Sequence, residues 1–303
     1  MLSILVLTFT LAGLKAQDEG IFSHYIITPI LINPSVAGFN DLHQIQFNAR
    51  AQWTGFQDAP KSIGAVYNGP IGNTFGLGLM LLGESAAQLT RVRAQMDFAF
   101  RFDVSDDFKM AAGFAAELEH VSITEEATSD VFFQGGDIVV ANAADGYQIF
   151  DASVGMFGLY KQATFFGITF ANLVQARLDD IVDTSTDGAL FEYFLAHAGH
   201  RFDFEAQNFN IEPSVLVKQL QYSPFEVDVN LKAGFMDDSL VAGLTYGSLG
   251  SLGILLGTRM ENLQLFYSYD VSFQRFQKFN SGSHEIMVAV ELARKDGLPR
   301  RRR

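Results

Sequence analysis

From about Leu42 to Leu292 the dominant pattern is alternation of apolar and polar residues with a period of two, which places successive side chains on opposite faces of a sheet. The clearest stretch sets Val92, Ala94, Met96, Phe98, Phe100 and Phe102 on one face and Arg91, Arg93, Gln95, Asp97 and Arg101 on the other. A second sets Phe225, Val227, Val229, Leu231, Ala233 and Phe235 against Glu226, Asp228, Asn230 and Lys232. A strand covered on both faces would be a continuous apolar run, so these strands meet two different environments.

Similar segments fall near 43–51, 61–69, 74–83, 107–119, 147–159, 163–173, 192–204, 208–219, 239–247, 251–260, 262–271 and 283–292, which with 88–102 and 225–235 make about fourteen strands. Many are close to the roughly 9–11 residues that cross a bilayer at a tilt. Parity is mixed in 163–173 and 251–260, and Pro213 inside a strand predicts a bulge. Connections after even-numbered strands are short throughout, whereas the long ones, near 52–60, 120–146, 174–191 and 272–282, all follow odd-numbered strands. That segregation is expected of a membrane barrel with tight periplasmic turns and longer outer loops. An even strand number puts both termini on the short-turn side.

Hydrocarbon offers no partner for a backbone N–H or C=O, so a sheet that enters it must close on itself. The fold predicted is therefore all-β: one closed antiparallel transmembrane barrel over 42–293, in an outer membrane, with Phe, Leu, Val and Ala toward lipid. About fourteen strands enclose more room than the wall side chains can fill. Arg91, Arg93, Asp97, Arg101, Glu226, Asp228 and Lys232 are the lumen candidates for binding a partner that occupies that room.

Composition narrows the alternatives. The 303 residues are 48% hydrophobic and 18% charged, with 29 Phe and 27 Gly, and mean hydropathy is +0.14. Beyond the first 16 residues no uncharged apolar run approaches the roughly 18 residues of a membrane helix. The chain has no Cys, which removes disulfides, thiolate metal sites and cysteine nucleophiles. A net charge of −13 argues against a nucleic-acid partner. Residues 1–16 are predicted to be a secretory signal peptide, with an apolar stretch ending in Ala16 and no basic start.

The segment 17–41 is too polar and too punctuated by Pro and Asn for a membrane strand; it is expected on the periplasmic side as a plug or docking arm, or as a strap across the barrel mouth. Trp53 and Phe56 sit at the tip of the first outer loop, as girdle aromatics or as partner anchors. The run Asp179, Asp180, Asp183 and Asp187 lacks the spacing and central Gly of a calcium loop, so no metal is expected there. His197 and His200 are three apart on a strand and point to opposite faces, as do Ser283 and His284, which disfavours a shared metal site and a Ser–His catalytic pair. No catalytic residue and no cofactor is expected. A passive channel or transporter remains an alternative, because inward charges suit a water-filled lumen as well. The tail 294–303, ending in four Arg, should be periplasmic, solvated or docked on an acidic partner or lipid head groups.

An ordered set of landmarks runs through nearly the whole mature chain: Asp18, Phe22-Ser23-His24-Tyr25, Pro29, Asn33-Pro34-Ser35-Val36-Ala37-Gly38, then Arg50, Gln52, Trp53, Gly55, Phe56 and Ala59-Pro60-Lys61. It continues with Gly76-Leu77-Gly78, Asp151-Ala152-Ser153-Val154-Gly155, Tyr267-Ser268-Tyr269-Asp270 and Ser281-Gly282-Ser283-His284-Glu285. In this the chain resembles the PorP/SprF outer-membrane proteins of the type IX secretion and gliding-motility machinery of Bacteroidetes. Two positions depart from that pattern: Phe150 stands where a Pro is common, and Gly247 where an Arg commonly follows Tyr246. The resemblance implies a non-enzymatic role. One form is a barrel that helps export a large secreted surface protein, an adhesin, and holds it through its C-terminal domain; the other is a core secretion component associated with periplasmic ring lipoproteins.

Overall fold

The computed structural model describes residues 22–56, 58–123, 146–174, 176–177, 193–220, 223–273 and 281–292. The strands are β1 His43–Ala51, β2 Lys61–Ile71, β3 Phe75–Ala86, β4 Leu89–Ser105, β5 Phe108–Ile123, β6 Tyr147–Tyr160 and β7 Thr164–Phe170. After the two-residue bridge β8 Ala176–Arg177 come β9 Phe194–His200, β10 Phe202–Phe204, β11 Phe209–Gln219, β12 Glu226–Phe235, β13 Leu240–Gly247, β14 Ser251–Met260, β15 Leu263–Ser272 and β16 Ser283–Leu292. β8 only flanks β6, and β9 and β10 are two halves of one wall strand. The wall is a closed antiparallel barrel of 14 strands. It closes where β16 pairs with β1, from His43 opposite Leu292 to Ala51 opposite His284.

Alternation along each strand separates two faces. On β12, Val229 is 55% exposed while Asp228 is 5% exposed; on β4, Val92, Met96 and Phe100 face out while Asp97 and Arg101 are buried inside. The outward residues form the apolar band, and pairing within the ladder supplies the backbone partners that lipid cannot.

The bulge expected at Pro213 is absent, for a local reason. The ladder between β11 and β12 runs unbroken through Pro213 opposite Leu231. On the other side the pairs Ser214–Gly199 and Ile211–Phe202 keep one register and lapse only between them. Proline has no N–H to donate, so the ladder skips a bond there without inserting a residue. The mixed parity of 163–173 also resolves, because β7 ends at Phe170.

The turns 72–74, 106–107, 161–163, 205–208, 236–239 and 261–262 lie at one end of the barrel, together with the start of β1 and the end of β16. The strand ends joined by 52–60, 124–146, 171–193, 220–225 and 273–282 lie at the other, with the tight turns 87–88 and 248–250. By the barrel rule the first end is periplasmic and the second faces out.

Residues 22–41 belong to no strand. They form three short 3-10 turns, Ser23–Ile26, Pro29–Leu31 and Pro34–Val36, two of them opened by a proline whose fixed φ suits a first helical position. Asn33 caps the third, its side-chain oxygen accepting from the Ser35 amide at 3.0 Å and the Ser35 hydroxyl at 2.6 Å.

Candidate functional site: the filled lumen and its outer cavity

Residues 22–41 lie inside the barrel and pack against its wall on several sides. Ile30 and Ala37 join Val66, Met80 and Ala99; Val36 and Phe39 join Ala111 and Phe157; Tyr25 and Ile32 join Leu195, Leu216 and Leu220. Ile26 and Ile27 pack on Val241, Leu255, Phe266, Met287 and Ala289, which explains why an inward residue such as Leu255 is apolar and why parity is mixed along 251–260. Two wall glycines let the segment's backbone come close. A β-carbon at Gly76 would overlap the Ala37 carbonyl, and one at Gly113 would stand 2.5 Å from Ser35 Cα.

Polar contacts fix both ends of the segment. At the outer end the Ser23 amide donates to Glu285 Oε2 at 2.8 Å and the Ser23 hydroxyl to Asp270 at 2.7 Å, while His24 Nδ1 lies 2.5 Å from Glu285 Oε1. Arg50 joins the same group, donating to Ser23 Oγ at 2.7 Å and to Glu285 Oε2 at 3.1 Å, with Asp270 at 3.4 Å. Glu285 is 1% exposed, a burial that a carboxylate tolerates only with several donors around it. At the periplasmic end Arg101 donates to the Gly38 carbonyl, to Asp41 at 2.7 Å and to Gly72 O at 3.2 Å. The Gly38 amide in turn donates to Asn68 at 2.7 Å. Arg50, Asp270 and Glu285 stand near the outer ends of their strands and Asp41 near the inner mouth, so the segment runs along the lumen from one end to the other.

Above it, at the outer end, is a cavity of about 360 Å³. Its floor includes Ser23 and Tyr25, and its wall includes Arg50, Arg91, Lys218, Glu226, Asp228 and Asp270, with Trp53 and Lys61 at the rim. Lys218 Nζ lies 2.9 Å from Glu226 and 3.3 Å from Asp228. The Tyr25 hydroxyl donates to Asn230 Oδ1 at 3.1 Å and to Asp228 at 3.4 Å.

The residues expected to bind a partner therefore separate. Arg91, Glu226 and Asp228 line the cavity. Arg93 lies beside it, 3.2 Å from Glu117 and 3.7 Å from Glu119, while Arg91 lies 3.6 Å from Glu119. Asp97 is deeply buried and accepts from Gln95 at 2.7 Å. Arg101 and Lys232 are engaged by the chain's own segment, Lys232 donating to Ile26 O at 3.3 Å and pairing with Glu212 at 2.7 Å. Trp53 is half-buried, its amide donating to Ser283 Oγ at 3.2 Å, and Phe56 is 43% exposed. Residues that sequence reasoning left without a role, Ser23, His24, Arg50, Asp270 and Glu285, form one connected polar group in the lumen. All five stood among the ordered landmarks.

His197 is buried inside, stacked on Phe157, while His200 bonds Thr164 at the strand edge. Ser283 points inward and His284 meets Tyr267 on the outer face. Among the described residues no group of three or more His, Cys, Asp or Glu could hold a metal ion. The aspartate run at 179–187, residues 1–21 and the basic tail lie outside the described residues.

Solved outer-membrane barrels share the architecture. The toluene transporter TbuX of Ralstonia pickettii superposes with a TM-score of 0.52 at 9% identity, over 86% of this chain and 91% of that one. The monoaromatic hydrocarbon channel CymD gives 0.50 at 11%, over 89% and 92%, and a TodX channel mutant 0.50 at 10%, over 89% and 94%. At such identities the likeness is one of fold. No curated protein matches the sequence. The model of the type IX secretion system membrane protein PorP/SprF matches residues 14–290. With its 14-strand wall, apolar outer band and filled lumen, the chain belongs to the PorP/SprF family and is an outer-membrane component of type IX secretion.

Proposed function

We propose that this barrel retains a large secreted surface protein at the cell surface, receiving a folded segment of that protein at its outer mouth. The observation that carries the reading is the division of the lumen. Residues 22–41 fill it along its length, and a charged cavity of about 360 Å³ is left above them, on the side of the long loops. Such a lumen is suited to holding something and poorly suited to passing it. The hydrocarbon channels that share the fold are named for conduction, and a conducting role here would need a continuous path beside the segment. Other secretion components, including periplasmic lipoproteins, would meet the short-turn end.

Affinity purification from native outer membranes, followed by mass spectrometry, tests the role. A giant surface protein recovered with the barrel is the expected result. Recovery of ring lipoproteins alone would assign the barrel to the secretion core, and conductance with no partner would assign it to transport.

A further inference from the structure

We infer that the outer cavity binds a neutral sugar, a hexopyranose resting against Trp53 with its hydroxyls bonded to the ion pairs of the wall. This goes beyond the retention role proposed above and does not rest on it.

The charge of the lining selects the class of ligand. Four cationic side chains and four carboxylates line the cavity, so neither sign is in excess. The charges are also tied to one another: Lys218 stands 2.9 Å from Glu226 and 3.3 Å from Asp228, and Arg50 stands 3.4 Å from Asp270. An ionic ligand would have to split one of these pairs or bring in a charge without a partner. An apolar ligand would strip water from charged groups and return nothing. A sugar hydroxyl both donates and accepts, so it can donate to a carboxylate and accept from the neighbouring ammonium without parting them. Hydroxyls of the wall continue the same chemistry between the pairs. Ser85 and Ser251 line the cavity with no hydrogen-bond partner among the described residues.

The second feature is aromatic. A pyranose carries its hydroxyls at the edge and C–H groups on its faces, and such a face packs on an aromatic ring. Tyr25 lies in the floor of the cavity and Trp53 at its rim. The φ of Trp53 is 45°, a conformation that bulky residues rarely adopt. It persists because the loop is clasped to the start of β16. The Trp53 amide donates to Ser283 Oγ at 3.2 Å, the Thr54 amide to Gly282 O at 2.9 Å, and the Ser281 amide to Thr54 O at 2.6 Å. An indole is thereby fixed, half-buried, beside a polar cavity.

Size and access agree with such a ligand. A volume of about 360 Å³ lies at the low end of small-ligand pockets, enough for a sugar ring and too small for a folded domain. Because Ser23 and Tyr25 close the cavity from below, the sugar would be held there, not conducted. The cavity opens on the side of the long loops, so the sugar comes from outside the cell, either free or as the end residue of a surface glycan.

The chain contains one tryptophan, so the tryptophan emission of the whole protein reports on this site. The full chain is purified in lauryldimethylamine oxide, a detergent without a sugar headgroup, and titrated with glucose, galactose, mannose, maltose and lactose. At least one should change the emission saturably, with a dissociation constant on the order of 1 mM. The charged sugars glucosamine and glucuronate should bind several-fold more weakly than their neutral parent. Ser251→Leu, which replaces a lining hydroxyl with a bulkier apolar group, should weaken binding about tenfold or more, while Asp103→Asn, at the far end of the barrel, should leave it unchanged. Folding is checked by the heat-dependent gel mobility of the barrel. If Ser251→Leu does not assemble, Trp53→Ala decides, with binding read by calorimetry and the same tenfold loss expected. A disaccharide that binds more tightly than its monosaccharide identifies a glycan end as the source, and one that binds equally or more weakly identifies a free sugar. The inference is overturned if no neutral sugar changes the emission saturably, if the charged sugars bind as well as the neutral ones, or if the folded variants bind like the parent. None of these results bears on retention of a surface protein, which is read by the affinity purification above.

Discussion

His24 of the lumen segment and Glu285 of the last strand are 2.5 Å apart and both are essentially inaccessible to solvent. They are 261 residues apart in sequence, and with Arg50 and Ser23 they tie the segment to the wall where β16 meets β1.

Removing one member of such a buried group leaves the others uncompensated. Glu285→Ala should destabilise the folded barrel by about 3–5 kcal/mol, read as a lower urea midpoint in detergent. His24→Ala should cost less in the Glu285→Ala background than alone, since the pair is then already broken. Equal costs in both backgrounds would mean that the two side chains do not interact.

The close approach at Gly113 gives a second expectation. Because the chain has no cysteine, Ser35→Cys is a clean reporter of whether the segment is seated. Ser35 is fully buried, so that thiol should resist a water-soluble maleimide in otherwise unchanged protein and react in the Gly113→Val background. A thiol that labels equally in both would contradict a seated segment.

Deletion of residues 22–41 should leave the wall intact, since every rung of the ladder, including the β1–β16 closure, lies outside that segment. In planar bilayers the full chain should show little conductance and the deleted chain a large, steady one. Similar conductance from the two would show that the segment does not block the lumen.

A turn-based cluster gives a pH dependence. In the turn 236–239, burial alone would raise the Asp238 carboxyl. Hydrogen bonds from Asn210 and Arg201, with the charges of Arg201 and Arg259, outweigh burial and hold it below its ordinary value of 3.8. A carboxyl depressed in the folded state contributes stability above its unfolded value and loses it as pH falls through the folded one. Asp238→Asn should therefore lower stability at neutral pH, and the difference from the parent should shrink as pH falls below that ordinary value. A difference that stays constant down to strongly acid pH would remove Asp238 from this role.

The wall was legible in the sequence because a membrane barrel repeats one instruction, apolar out and polar in, and because its connections sort by length. Val92 and Asp97, or Val229 and Asp228, could each be assigned to a face from position alone. The contents of the lumen were not legible in this way. Residues 22–41 form turns too short to have a period, and their partners are distant in the chain, Ser23 with Glu285 and Thr28 with Met287. Some of the signal was present in disguise. The apolar inward residue Leu255 disturbed the alternation because Ile26 and Ile27 pack on its cluster, and Gly76, one of the ordered landmarks, stands where the Ala37 carbonyl leaves no room for a β-carbon. Arg101 and Lys232 have the residue types expected of partner-binding charges, and only contacts reveal that the chain itself engages them.

The pairing of β1 with β16 also constrains the order of assembly. The last strand is the last to be synthesised and the one that seals the cylinder, and it carries the carboxylate that His24 and Ser23 require. Until that strand docks, the outer end of the segment is held by the contacts of Ser23 with Asp270 and Arg50 and of Tyr25 with Asn230, without the carboxylate that takes the Ser23 amide and His24. Closing the seam thus also completes the seating of the segment, and an intermediate halted before it would lack the Glu285 clasp while keeping the segment's contacts with the other strands.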